Sequence, residues 1–511
     1  MSNKPSDAKL WEIACAAIEK VRQYSPDERQ AYFDSARFLP PMISTGQRGQ
    51  VFTTSEGLSA IASIAEAWRT ADPVRKARID ADRMRQIGHS EFGAMLDEND
   101  RRVRTDHADA VREFKQRLGR RLDQVARDVE HYFACRVFER DDLPAFSVGP
   151  VRFLQRQDWL RHVSSRAKDD VGWPDRVRRI WARKRSWLDY LDRKAISRQV
   201  RRFLLKRKDW PFITKLRRAH TDIDTESVLE MVGECRWIAA VHVVGNELGR
   251  SGERAKYGVR LAIDALGLLL SASQASELRG PGDELHSRHT VTLSLYEGLD
   301  LNAGHHMDAP HLFTTGESAK KYIDATSEYR EAAGWAISAV LGSDGAQPLS
   351  SLRRRWCDAL YWFGEARRSS ADFSALVLYG ISVDVLSKGG RANGISDMLA
   401  GLFGIGVDDK LMKDGDTVRQ IVSDIYEKGR SQFGHGGRPA LIEDLPVSRA
   451  TADSVAARAL DLYLDRLRLY GGADDIDVFF AALPDLTAER RKQRQAATEA
   501  AEGAPQLNLR A

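Results

Sequence analysis

Ile425-Tyr426-Glu427-Lys428-Gly429-Arg430-Ser431-Gln432-Phe433-Gly434-His435-Gly436-Gly437 reads as the end of a helix. From Thr417 onward Ile421, Ile425 and Phe433 turn inward, and the glycine run after Phe433 supplies a stop. The neighbouring segments carry the same period. Residues 352–368 put Trp356, Leu360, Phe363 and Ala366 on one side. Residues 370–386 bury Phe373, Leu376, Val377, Ile381 and Leu386, and shorter or longer helices follow at 395–402 and 448–469. Five such stripes predict an antiparallel helical bundle over 346–472, large enough to fold alone.

The rest of the chain extends this to a mainly α, multi-domain protein with a few short strands in the N-terminal and middle regions. At 511 residues it exceeds one ordinary core. The expected division is 1–160, a helical region with a short hairpin; 161–345, a basic and mixed middle domain; 346–472, the bundle; and 473–511, a partly disordered tail. Residues 7–35 read as one or two helices, 40–57 as a loop after Pro40-Pro41, and 58–70 and 74–135 as long charged helices. Two short strands are expected around Gly149-Pro150, a helical pair over 225–278 broken at 249–252, a hairpin over 288–304, and one helix over 318–341.

Composition excludes several classes. Apolar residues make up 42% and charged residues 30%, as in a soluble folded protein. The longest apolar stretch, around 261–270, is interrupted by Asp264 and falls well short of the roughly 20 residues of a membrane span. The first residues show no signal segment, so a cytoplasmic location and no membrane partner are expected. Cys15, Cys135, Cys235 and Cys357 stand far apart with no C-x-x-C pair, which argues against a zinc knuckle or a disulfide framework. No Walker A, G-x-S-x-G or H-E-x-x-H pattern occurs.

The stretch 425–437 resembles the signature of Apea-like HEPN domains: a helix ending with Tyr, a few residues, Arg-Ser, three residues and His-Gly. Tyr426, Arg430-Ser431 and His435-Gly436 carry the resemblance, which covers roughly 350–470. Asp384 stands where that family often has an acidic residue, usually Glu. The resemblance implies a homodimeric, metal-independent endoribonuclease with no cofactor, acting on RNA as a conditional toxin or antiphage defence effector. Arg430, His435, Ser431 and Asp384 are its implied catalytic residues.

The chemistry of these side chains suits that role. His435 can take the proton of an RNA 2′-hydroxyl near neutral pH as it attacks the adjacent phosphate. Arg430 can hold the non-bridging oxygens bidentately as charge builds. Ser431 can donate another hydrogen bond, and Asp384 can orient Arg430 or His435. Products would be a 2′,3′-cyclic phosphate and a 5′-hydroxyl. Two departures stand out. Gly429 and Gly434 replace apolar residues of the family, each costing about 1 kcal/mol in a helix interior. Positions five apart also lie roughly 140° apart on an ideal α-helix, so Arg430 and His435 share a face only where the helix ends or bends.

Two further segments carry chemistry. From 161 to 218, Lys and Arg outnumber Asp and Glu about three to one, with aromatics interleaved. Arg178, Arg179, Arg183, Lys184, Arg185, Arg201 and Arg202 are candidate phosphate contacts; a surface helix with buried Trp residues is the plainer alternative. His286, His289, His305, His306, Asp308 and His311 crowd one segment, but without i, i+4 spacing on a helix they read as polar loop residues, and no metal is assigned. The functional alternative to a nuclease is a catalytically silent HEPN bundle that dimerises or binds nucleic acid through 161–218.

Overall fold

Capping residues and apolar stripes set the N-terminal helices. Ser6, Thr54, Asp80 and Asp106 each accept a backbone N–H at the start of α1 (Asp7–Arg22), α3 (Ser55–Thr70), α5 (Ala81–Thr105) and α6 (His107–Val125). Shorter α2 (Pro26–Ser35) and α4 (Pro73–Arg78) lie between them. The computed structural model describes residues 5–502 apart from 36–39, 46–48, 139–142, 157, 160–235, 276–277, 282, 284–288, 297–299, 308–315, 343–346, 390, 412–414 and 432–446.

The chain is mainly α and multi-domain, and divides into two compact units. One comprises Met1–His131, His242–Tyr257 and Ala339–Pro348; the other comprises Tyr132–Val241, Gly258–Ser338 and Leu349–Ala511. In the first, Trp11 is the centre of the core. Its indole donates to the Val103 carbonyl at 2.9 Å, and its ring meets Phe92 and Phe114 edge-on at 4.8 and 5.3 Å. The indole is thus buried with its one donor satisfied. Residues 40–57 are not all loop: β1 (Met42–Thr45) and β2 (Gly49–Phe52) form an antiparallel hairpin. Ile43 and Thr45 alternate inward there, a pattern too short to stand out from turn-forming neighbours.

A four-stranded sheet is ordered β3-β6-β5-β4, built from β3 (Arg127–Cys135), β4 (Phe146–Val148), β5 (Val151–Gln155) and β6 (Trp237–Asn246). The strands around Gly149-Pro150 stand as expected. Two helix expectations do not. The run 74–135 ends in β3, and 237–246 is a strand. β6 is rich in Ile238, Val241, Val243 and Val244, and its first five residues are all buried. A strand covered on both faces reads as a continuous apolar run, which periodicity cannot separate from a buried helix. Only α7 (Leu248–Leu268) of the expected pair is helical, and 249–252 lie inside its first turns. After α8 (Ala272–Ala275), the hairpin of β7 (His289–Tyr296) and β8 (Asp300–Met307) is present, so His289, His305 and His306 are strand residues. The 318–341 helix is broken at Thr326 into α9 (Gly316–Ala325) and α10 (Ser327–Leu341).

The bundle follows: α11 (Ser350–Arg368), α12 (Asp372–Leu386), α13 (Arg391–Phe403), α14 (Val418–Val422), a π-helix (Ser423–Ser431), α15 (Arg449–Leu469) and α16 (Ile476–Glu502). Trp356 on α11 donates to the Leu460 carbonyl of α15 at 3.0 Å. Arg367 reaches across to Asp453 of α15 with two bonds of 2.7 and 2.8 Å, and the Tyr379 hydroxyl of α12 donates to the same carboxylate at 2.7 Å. Three helices are tied at one buried carboxylate. Asp474 accepts the N–H groups of Ser351 and Leu352 at 2.8 and 3.0 Å, capping α11 from far along the chain. On α16 Phe479 and Leu483 are buried.

Candidate active site

The site is built where the π-helix crosses α12. Leu376, Gly380 and Asp384 are spaced by four on α12 and so form one ridge. The π-helix lays Gly429 and Arg430 against that ridge. A Cβ at Gly429 would stand 3.0 Å from Leu376, and one at Gly380 would stand 2.7 Å from the Arg430 Cβ. Each glycine therefore permits backbone approach where a side chain would hold the helices apart. At Gly429 the neighbour is the Leu376 side chain.

Arg430 projects from this crossing with its head group half-exposed. One terminal nitrogen faces the Asp384 carboxylate at 3.5 Å, where the two side chains are 36% and 25% exposed. The other donates to the Tyr426 hydroxyl at 3.0 Å. The guanidinium carbon lies 5.1 Å from the Tyr426 ring centroid, within range of a cation–π contact. Ser431 follows directly and is half-buried. On the outer side, Lys428 pairs with the buried Asp424 one turn earlier at 2.6 Å.

The structure thus brings together two of the four candidate catalytic residues, Arg430 and Asp384, and places the third, Ser431, in the π-helix directly after Arg430. His435 lies outside the described residues. So do Arg178, Arg179, Arg183, Lys184, Arg185, Arg201 and Arg202, with the whole basic block, and His286, Asp308 and His311. Among the described residues, no group of three or more His, Cys, Asp or Glu is placed to hold a metal ion, and no helix is long and apolar enough to cross a membrane.

Tyr426 belongs to the sequence signature without an assigned task there, and Gly380 lies outside it. The signal for Gly380 was available: a glycine inside an apolar helix costs stability and marks a packing constraint. The π winding left no comparable trace. Set beside known proteins, the chain matches no protein family, no curated protein and no solved structure.

Proposed function

We propose that this chain is a HEPN-type, metal-independent endoribonuclease, working as a homodimer and serving as a conditional toxin or defence effector. The observation that carries the reading is the Arg430–Asp384 pair, which joins the Arg-Ser segment to an acidic residue on the preceding long helix at 3.5 Å. That pairing is what the resemblance asks of these two positions, and they lie 46 residues apart (430 − 384).

In the proposed reaction His435 removes the 2′-hydroxyl proton, the oxygen attacks phosphorus to close the 2′,3′-cyclic phosphate, and the P–O5′ bond breaks, the 5′-oxygen taking a proton from water to become the 5′-hydroxyl. Arg430 holds the non-bridging oxygens, with Asp384 keeping its charge in place. The test compares RNA degradation by the purified chain with Arg430→Ala and His435→Ala. A fall of about 100- to 1000-fold in both is expected; three equal activities, or no cleavage by the parent under any trigger condition, would remove the reading.

A further inference from the structure

We propose that Tyr426 is a positioning residue for Arg430, holding its guanidinium as a fixed fork for a phosphate; this rests on the ribonuclease reading above. A guanidinium carries five N–H donors on a long flexible stem. To act as a fork it must be held by some donors and leave others free. Asp384, at 3.5 Å, is beyond ordinary hydrogen-bond length, so it supplies charge but little angular restraint. Tyr426 supplies the restraint in two ways. Its hydroxyl accepts from one terminal nitrogen at 3.0 Å, and its ring lies 5.1 Å from the guanidinium carbon. The bond sets rotation within the guanidinium plane, and the ring limits its tilt.

The geometry also leaves capacity. One donor goes to Tyr426 and one faces Asp384, so among the described residues three of the five are left without a partner. Both residues belong to one π-wound segment, locked against α12 by the Gly380 and Gly429 contacts. The hydroxyl and the guanidinium therefore move with one backbone.

The experiment measures kcat/KM for RNA cleavage by the full chain and by Tyr426→Phe, Tyr426→Leu, Arg430→Ala and Tyr426→Phe/Arg430→Ala, with thermal midpoints for each. Tyr426→Phe keeps the ring and loses the bond, and is expected to lower kcat/KM about 10-fold. Tyr426→Leu loses both contacts and is expected to lower it about 50-fold. The decisive result is the pair: once Arg430 is gone, Tyr426→Phe costs nothing more, while thermal midpoints stay close to the parent. Losses that multiply, or a Tyr426→Phe protein as active as the parent, overturn the positioning role and leave the nuclease reading standing. An Arg430→Ala protein as active as the parent, or an inactive parent, overturns both.

Discussion

Two of the bundle's Arg–Asp pairs are each attended by a tyrosine and an aromatic ring, and they are built differently. Arg367 and Asp453 are 6% and 10% exposed, meet through two short bonds, and share the carboxylate with Tyr379. Arg367 also donates to the Gly267 carbonyl and stacks at 4.4 Å over Phe363. Every nitrogen of that guanidinium is engaged. Arg430 and Asp384 are more exposed, touch through one long contact and, among the described residues, leave donors over. The same residue types make a closed joint when saturated and buried, and a loose, partly exposed contact when neither.

The contrast breaks most plainly at the closed joint. Asp453→Ala leaves Arg367 buried without its counter-charge, which should cost about 3–5 kcal/mol of stability. Denaturant melts measure it; a loss below about 1 kcal/mol would mean the joint is no more structural than the surface pair. Gly380→Ala comes next. The added methyl meets the Arg430 stem, so the crossing must open, at about 1–3 kcal/mol. RNA cleavage should fall with it, and unchanged stability and activity together would show that close approach is not required.

Tyr379→Phe isolates one hydrogen bond of the joint. Burial first, then the Asp453 carboxylate, pushes this phenol well above the ordinary tyrosine range, so it stays protonated and donates across the usable pH range. Its loss should cost about 1–2 kcal/mol in the same melts. The smallest stability effect belongs to Asp384→Asn: under about 1 kcal/mol, because a half-exposed single contact is worth little. Its effect on cleavage should be the larger, about 10-fold in kcat/KM. A variant that melts early but cleaves normally would place Asp384 with the structural pair instead.

Sequence alone made the bundle legible because Trp356, Leu360 and Phe363, or Leu376 and Leu386, repeat at helical spacing whatever their partners. It misread 237–246 because a strand buried on both faces carries no alternation. Asp384 entered only through a family likeness, since nothing local ties it to a residue 46 positions on (430 − 384). The Arg367–Asp453 joint was invisible for the same reason, spanning 86 positions. The π winding was hidden more deeply. Ser-Asp-Ile-Tyr-Glu-Lys-Gly-Arg-Ser is ordinary helix composition apart from Gly429.

Asp474 has a practical consequence for anyone isolating the bundle. Its carboxylate closes the N-terminal end of α11, with Ser350 and Ser351 gathered around it. Phe479, a few residues on, sits edge-on to Tyr463 and Tyr470. A fragment trimmed at residue 472, where the helical stripes run out, would therefore uncap its own first helix and expose an aromatic face. A recombinant piece meant to be soluble should carry the chain through Glu502.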